Sequence, residues 1–130
     1  MRTKTPINPW SWQDTRGFTQ AWHIDGPGTV VHLSGQVPVD VDGHLIGADD
    51  FELQTRQCFD NLITVLGAAG ASLTDVVKFT IYLTDITRLP DYGRIKAGYI
   101  QGQQPASTAV QVVALAFPGV MIELDATAAI

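Results

Sequence analysis

Hydrophobic and polar residues alternate over much of the stretch from residue 104 to residue 128. This period of two predicts two consecutive strands, with a turn at residues 117–119 where phenylalanine, proline and glycine follow one another. In the second strand the aliphatic side chains share one face, whereas Glu123 and Asp125 share the other. Two carboxylates therefore lie side by side on a sheet surface, where they must be solvated, paired or functional.

Two helices are indicated by apolar residues that recur at helical spacing. The first is predicted over residues 50–69, with Asp49 or Asp50 as its N-cap. The second is predicted over about residues 89–101, before a glycine and a proline stop it. A strongly apolar strand is expected between the helices, over residues 76–83.

The N-terminal part of the chain is predicted to open with a hairpin. Residues 17–24 and 29–33 have the composition of strands, and a turn rich in glycine separates them. Ser34, Gly35 and Gln36 then break the strand pattern. A glycine at the end of a strand lets a backbone N–H approach a ligand or another chain, although a plain bulge is the commoner explanation.

The predicted order of elements is strand, strand, helix, strand, helix, strand, strand, and residues 1–130 are expected to form one domain. Two helices can cover only one face of such a sheet. The other face is expected to carry four large side chains among its polar ones, namely Val76, Tyr82, Val113 and Met121. We therefore expect other subunits to cover that face.

Composition argues against several kinds of partner. The chain has 8 basic and 13 acidic residues, a formal net charge of −5, and so offers no basic footprint for nucleic acid. Its apolar runs are too short to cross a membrane, and its N-terminus lacks an apolar signal core. The single cysteine, Cys58, cannot form an internal disulfide and is expected to pack on the buried stripe of the first helix. We expect a cytoplasmic protein without nucleic-acid or membrane partners.

Metal and nucleotide chemistry have little support in the sequence. The three histidines show no metal-ligand spacing with each other or with the cysteine. The acidic loop with aspartates at positions 40, 42, 49 and 50 suggests a cation site, but turn and cap residues on a solvated loop explain it better. The chain contains no G-x-G-x-x-G, P-loop or G-x-S-x-G motif. We expect neither a metal nor a cofactor.

Five segments resemble one known family, in the same order along the chain. They are GFTQAWHI, LSGQVPVDVDG, QTRQCFDNLITVLGAAGASLTDVVKFTIYLTD, PASTAVQV and IELDATA. Together they look like the Rid/YjgF family of reactive intermediate deaminases, and the resemblance covers nearly the whole chain from Gly17 onward. It implies the chorismate-mutase-like α+β fold, a mixed sheet with two helices on one face, assembled as a homotrimer with pockets between adjacent subunits.

The resemblance also implies an activity and a set of pocket residues. Members with deaminase activity hydrolyse imines or enamines derived from amino acids to a 2-oxo acid and ammonia. The family's backbone-presenting glycine matches Gly35, and its water-orienting glutamate matches Glu123. Ser107 stands in place of the arginine that holds the substrate carboxylate, and Phe18 in place of a tyrosine. Lys96 falls where active members often have asparagine.

These departures change the ligand that the pocket is expected to take. A serine hydroxyl cannot replace the bidentate donors of a guanidinium. The pocket should prefer a ligand without a carboxylate at that spot, or one whose anion meets Lys96, Arg94 or Arg16. Glu123 remains a candidate general acid/base or water-orienting group, and Asp125 is expected to raise its pKa by like-charge repulsion.

We therefore predict a small-molecule pocket between subunits in which Glu123 is the catalytic residue. The predicted substrate-binding residues are Phe18, Ser34, Gly35, Lys96 and Ser107. The leading hypothesis is hydrolysis of an imine, an enamine or a related metabolite other than the standard 2-imino acids. The alternative is a metabolite-binding or regulatory trimer without catalysis. Ribonuclease activity, sometimes attributed to the family, is disfavoured by the acidic charge and by the lack of a histidine pair or metal cluster.

Overall fold

The computed structural model describes residues 2–130, in which six strands and two α-helices form. The strands are β1 (Thr3–Ile7), β2 (Ala21–Asp25), β3 (Val30–His32), β4 (Val76–Leu83), β5 (Ala106–Gln111) and β6 (Ile122–Ala129). The helices are α1 (Phe51–Ala68) and α2 (Leu89–Tyr99). The sequence predictions of both helices and of β4 are confirmed to within two residues. Neither helix is both long and apolar enough to cross a membrane, as far as residues 2–130 are concerned.

A four-stranded mixed sheet in the order β3-β6-β4-β5 organises the fold. Strand β4 pairs antiparallel with β6 on one side and parallel with β5 on the other. The two C-terminal strands were predicted correctly as strands, but they are not neighbours, because β4 lies between them. Alternation along a strand indicates which residues share a face, whereas it does not indicate which strand lies beside it.

The predicted N-terminal hairpin is wrong. Strand β2 pairs with β1 in a separate two-stranded sheet, and β3 pairs with β6. The pairing of β3 places Val31 opposite Ala128, against the core. The guanidinium of Arg2 donates to the carbonyl oxygens of Gly26 and Thr29, at 3.0 and 3.1 Å. These contacts between distant parts of the chain outweigh the local turn signal.

Helix α1 covers one face of the sheet, which we call the inner face. Its N-cap is Asp50, whose carboxylate accepts a hydrogen bond from the Leu53 N–H at 3.0 Å. Phe59 is fully buried and stacks on Tyr99 with a centroid distance of 4.6 Å, which joins α1 to α2. Cys58 is also fully buried, and burial raises the pKa of its thiol, in agreement with the predicted packing role.

The opposite face of the sheet, the outer face, carries mainly polar side chains. The Lys78 ammonium donates to the Thr108 hydroxyl at 2.6 Å, across β4 and β5. The Tyr82 hydroxyl donates to Asp125 Oδ2 at 3.0 Å, across β4 and β6. Both helices lie on the inner face, so this half-buried polar surface has no helix over it.

The composition predicted for the outer face is partly wrong, because only Tyr82 of the four predicted side chains projects from it. Val76 is buried in the core, since an irregularity in the β4–β6 register between Val76 and Lys78 shifts the alternation there. Met121 packs against the core as well. Val113 lies beyond the end of β5 and is fully exposed.

Candidate functional site

The predicted site residues lie on both faces of the four-stranded sheet. Ser107 of β5 is in register with Phe79 of β4 and shares the inner face with it. Glu123 of β6 is in register with Tyr82 and projects from the outer face. Their strands are also two places apart in the sheet, a spacing of about 10 Å. One chain thus holds two separate groups of site residues.

The first group lines a pocket of about 270 Å³ on the inner face, which we call the inner pocket. The structure brings together Phe18, Lys96 and Ser107 here, three of the predicted residues. The other lining residues are Trp12, Arg16, Gly17, Ile81, Leu89, Tyr92, Gly93 and Ala109. Most of this wall is apolar, and its polar groups belong to a few side chains that converge on one small space.

Aromatic rings form one wall of the inner pocket. Trp12 and Phe18 meet edge to face, with ring centroids 5.6 Å apart and planes at 69°. The Arg16 guanidinium lies over the Trp12 ring, 5.6 Å from its centroid. Gly17 has a φ of +73°, which glycine adopts without strain, and it turns the chain between these residues and Phe18. Sequence reasoning missed Trp12, because nothing in the local pattern shows that this tryptophan meets Phe18.

Lys96 enters the inner pocket from α2. Its side chain is half-buried, and its ammonium donates a hydrogen bond to the carbonyl oxygen of Gly17. Within residues 2–130 it forms no ion pair, and burial lowers its pKa. Arg94, a rival cation in the sequence prediction, lies outside the pocket and pairs with Glu52 at 2.9 Å. Arg16, the other rival, lines the pocket but is exposed, so Lys96 is the more buried of the two cations there.

Tyr92 adds a second polar group that sequence reasoning had assigned only to helix packing. The side chain is 3% exposed and stacks on Phe59 with ring centroids 6.0 Å apart. Burial raises the pKa of its phenol. Its hydroxyl is buried without a hydrogen-bond partner among the described residues, although Tyr92 lines the inner pocket. A buried hydroxyl without a partner is unfavourable, and this one has almost no surface that a ligand in the pocket could reach.

The second group consists of Gly35 and Glu123 on the outer side of the sheet. A Cβ atom on Gly35 would lie 2.7 Å from the Glu123 Cδ atom, so only glycine leaves room for this carboxylate. Next to it, Gln36 bridges to Leu124 through two backbone hydrogen bonds of 2.6 and 3.1 Å. The glycine predicted at the end of β3 thus serves a close approach, and the carboxylate lies against its backbone.

The Glu123 carboxylate is half-buried and accepts no hydrogen bond from residues 2–130. Burial is the main cause that raises its pKa, and the like charge of Asp125 is the second. The prediction named Asp125 and missed burial, because the contact with Gly35 joins two distant segments of the chain. Asp125 itself is held by the Tyr82 hydroxyl at 3.0 Å, which leaves Glu123 as the unengaged carboxylate of the two.

Ser34, the remaining predicted residue, is exposed in the loop after β3. Its carbonyl oxygen accepts a hydrogen bond from the Gln36 side chain at 3.0 Å. Ser34 adjoins Gly35 in the chain and so belongs to the Glu123 side of the sheet, away from the inner pocket.

The acidic loop brings Asp40, Asp42 and His44 close together, with one ligand-type atom of each within 4.8 Å of the others. The Asp40 carboxylate accepts hydrogen bonds from the backbone N–H groups of Asp42 and His44, both at 2.9 Å. These bonds lower the pKa of Asp40 and are typical of a turn. Hydrogen bonds from the loop's own backbone to Asp40 therefore explain the shape of this loop.

Relatives of known sequence match most of the chain. The family model described as Endoribonuclease L-PSP matches residues 13–130. A RutC family protein from Pyrococcus horikoshii is 38% identical over 101 residues, which cover 78% of this chain and 79% of the relative. Protein mmf1, mitochondrial, from Schizosaccharomyces pombe is 36% identical over 130 residues, which cover 98% of this chain and 77% of the relative.

Solved structures match the fold over nearly its full length. YyfB, a protein of unknown function in the conserved Rid protein family of Yersinia pestis, superposes with a TM-score of 0.84 at 31% identity, covering 99% of this chain and 98% of that one. RidA from an Antarctic Psychrobacter gives a TM-score of 0.74 at 31% identity, covering 97% and 94%. These likenesses confirm the predicted chorismate-mutase-like α+β fold. The chain belongs to the Rid/YjgF family, and this membership supports a role that involves small molecules.

Proposed function

We propose that the protein hydrolyses an imine, an enamine or a related small metabolite, with Glu123 as the group that activates water. The observation that carries the proposal is the Glu123 carboxylate, which lies against the Gly35 backbone with no hydrogen-bond donor from residues 2–130. Its raised pKa brings the carboxylate closer to the pH at which a general base works best. The acceptor sites of this carboxylate are open to water and substrate.

The proposed site lies between two copies of the chain. Glu123 projects from the outer face, whereas Lys96 and Ser107 line the inner pocket, so one chain does not place all of them around one ligand. A second copy that brings its outer face to the inner pocket of the first would join the two groups. This arrangement agrees with the homotrimer that the sequence predicts, and it would cover the helix-free face of the sheet.

The reaction requires water to attack the imine carbon. The Glu123 carboxylate removes a proton from water as the oxygen bonds to carbon, and passes it to the imine nitrogen, which gives a carbinolamine. When the C–N bond breaks, the hydroxyl proton passes through the same carboxylate to the leaving nitrogen. Ammonia and a carbonyl compound result.

Ser107 favours a second candidate, a trimer that binds a metabolite without turning it over. A serine at this position provides no bidentate contact for a substrate carboxylate. A third activity is named in the description of the matching family model, endoribonuclease. A net charge of −5 offers little attraction to RNA phosphates, so this chain gives that activity no physical support.

The test compares the two glutamates of the chain. Imines are generated in situ by an amino-acid oxidase, and release of ammonia or oxo acid is measured. Glu123→Gln should abolish turnover and keep ligand binding, whereas Glu52→Gln, on the exposed side of α1, should change neither. If wild type and Glu123→Gln are equally inactive but bind the same ligand, the protein is a binder and the hydrolase proposal is wrong.

A further inference from the structure

We propose that Asn61 of α1 is a positioning residue for Glu123, and that it acts through the loop that carries Gly35. Asn61 does not touch the carboxylate; it holds the backbone that lies against it. The inference deepens the proposed function and rests on it for any effect on catalysis. The positioning itself is testable without turnover.

A β-bulge brings Gly35 to the carboxylate of the proposed base. In the regular part of the β3–β6 pairing, Val31 lies opposite Ala128. The next bridge beyond β3 joins Gln36 to Leu124, so the five steps from residue 31 to residue 36 run against only four, from 128 to 124. The segment that includes Gly35 therefore has one extra residue, and such a bulge redirects the chain locally.

Two ties hold the chain immediately after this bulge. A bulge leaves its extra residue out of the sheet ladder, so other contacts must fix the chain there. On the sheet side, backbone hydrogen bonds of 2.6 and 3.1 Å join Gln36 to Leu124. On the helix side, the Asn61 amide nitrogen donates to the carbonyl oxygens of Val37 at 2.9 Å and Val39 at 3.0 Å. The helix thus fixes one end of the segment that approaches Glu123.

The side-chain amide of Asn61 is suited to this task. Its NH₂ group has two donors, which match the two carbonyl acceptors of the loop. Its Oδ1 atom accepts a hydrogen bond from Gln57 Nε2 at 2.9 Å, one turn earlier on α1. Because Gln57 donates to the oxygen, the nitrogen must face the loop. A side chain of the same size without donors would lose both ties and leave two carbonyl groups without this partner.

The close approach of Gly35 links the loop to Glu123. A Cβ atom on Gly35 would lie 2.7 Å from the Glu123 Cδ atom, so there is no spare space between backbone and carboxylate. Burial is the main cause that raises the pKa of Glu123. If the loop moves away, water reaches the carboxylate and its pKa should fall.

Three other titratable groups interact electrostatically with Glu123. They are Asp125 on β6, Tyr82 on β4 and the buried thiol of Cys58 on α1. Asn61 is hydrogen-bonded to none of them within residues 2–130, and it carries no charge. A change at Asn61 should therefore reach Glu123 through the loop and leave these groups in place.

The experiment is an NMR titration of the side-chain carboxyl carbons in protein labelled with ¹³C-glutamate. The chain has two glutamates, so Glu123→Gln assigns both signals. Asn61→Leu keeps the size of the side chain and removes its donors, and the pKa of Glu123 should then fall by about half a unit to one unit. Glu52, on the exposed side of α1, is the internal control and should titrate as in wild type.

A matched variant separates positioning from a general loss of stability. Thr55 is fully buried on the same helix, and its hydroxyl donates to the Phe51 carbonyl at 2.8 Å, within the helix. Thr55→Val should lower the thermal unfolding midpoint and leave the titration of Glu123 unchanged. Gln57→Leu removes only the support of the Asn61 oxygen, so it should lower the pKa of Glu123 by a smaller amount.

Two results would overturn the inference. One is a folded Asn61→Leu in which Glu123 titrates as in wild type; if that variant does not fold, an unchanged titration in Gln57→Leu decides in the same way. The other is an equal fall of the pKa in Thr55→Val, since this would show a general loosening of the helix.

Failure of the inference and failure of the proposed function give different results. A pKa of Glu123 that falls in Asn61→Leu, in a protein that releases no ammonia from any imine, would refute the hydrolase and support the positioning role. Turnover that is lost in Glu123→Gln, with the same titration of Glu123 in wild type and Asn61→Leu, would support the hydrolase and refute the positioning role. If both hold, the rise of kcat/KM with pH should occur at lower pH in Asn61→Leu.

Discussion

Glu123 derives its chemical character from two neighbours of different kinds. Gly35 allows the carboxylate to lie against backbone, where water solvates it less, and Asp125 adds a like charge from the same face of β6. Both effects disfavour the ionised form and raise the pKa. The same raised pKa means that ionising Glu123 opposes folding: its stabilising contribution is present at low pH and is lost as the pH rises through the raised pKa.

We predict that turnover increases with pH through the raised pKa of Glu123, because the base form is the carboxylate. Asp125→Asn removes the like charge, which is the smaller of the two causes that raise the pKa of Glu123. The rise of kcat/KM with pH should then occur at lower pH, although still at higher pH than for an exposed glutamate. The measurement is a profile from about pH 4 to 8. Asp42→Asn, in the exposed loop, is the control. If the rise of kcat/KM occurs at the same pH in Asp125→Asn, then Asp125 has no influence on the pKa of the catalytic base.

Gly35 gives a second prediction about a single residue. A methyl group there would overlap with the Glu123 side chain, so Gly35→Ala should displace the carboxylate and lower kcat by more than tenfold, about 1.4 kcal/mol or more. The fold should persist, since Gly35 has no left-handed φ. Thermal unfolding and the kinetic assay are compared in the same samples. Gly43→Ala is an informative contrast, because it changes a glycine with a φ of +82° and open space around it, and should cost stability without affecting turnover.

Strand β5 decides what faces the inner pocket, because the alternation of side chains turns Ser107 inward together with Ala109. Ser107 lacks the two parallel donors of an arginine. We predict that 2-iminopropionate is cleared about a hundred- to a thousandfold more slowly than by an arginine-containing homologue, the effect of losing about 2 to 4 kcal/mol. The assay is ammonia release from oxidase-generated imine, run beside that homologue. Equal kcat/KM would refute the prediction.

Helix α2 affects what an arginine introduced at position 107 can do, because it carries Lys96 into the same pocket. Ser107→Arg should increase kcat/KM for 2-iminopropionate, but the new guanidinium shares the pocket with the Lys96 ammonium. Like charges in a half-buried pocket repel, so the double variant Ser107→Arg with Lys96→Met should gain more than Ser107→Arg alone. A smaller gain in the double variant would mean that the two side chains do not meet. The same kinetic assay measures both.

The prediction that concerns the whole molecule is that the chain assembles as a homotrimer. Light scattering at micromolar concentration should give three times the 14.1 kDa of one chain. The outer face is more polar than the sequence suggested, so we expect polar contacts such as that of Tyr82 with Asp125 to persist within the interface. A mass near 14.1 kDa would refute the trimer and the shared pocket.

A mixing experiment tests whether two copies share one site. Lys96→Met and Glu123→Gln are each expected to lose activity, but they change opposite faces of the sheet. Unfolding and refolding equal amounts of the two variants together makes about three quarters of the trimers mixed. One of the three interfaces in each mixed trimer joins two unaltered halves, which is about a quarter of all interfaces. Activity should therefore reappear at up to about a quarter of the wild-type value. No recovery in mixed trimers would place the whole site within one chain.

The location within the cell stays a prediction. The sequence favoured the cytoplasm, and one relative, mmf1 of Schizosaccharomyces pombe, is named as mitochondrial.

Local patterns in the sequence were sufficient for the elements whose partners are close in the chain. The spacing of apolar residues and the cap at Asp50 predicted α1, and alternation predicted β4 and the shared face of Glu123 and Asp125. Five short segments of the chain predicted the family by resemblance, and with it Gly35 and Glu123 as site residues. These features depend on the period of one helix or strand, or on short stretches of sequence, which the chain displays directly.

Only the tertiary structure decided which residues meet. The alternation of β5 and β6 did not show that β4 separates them, and the turn before β3 did not show that β3 pairs with β6. The inner pocket combines Trp12, Tyr92 and Lys96, which are distant in the chain and have no common motif. Within residues 2–130, the ammonium of Lys96 bonds the Gly17 carbonyl and no carboxylate, and the Tyr92 hydroxyl has no partner; both follow from what surrounds them in space. Burial and pairing are properties of packed neighbours, and a sequence pattern specifies only the face from which a side chain starts.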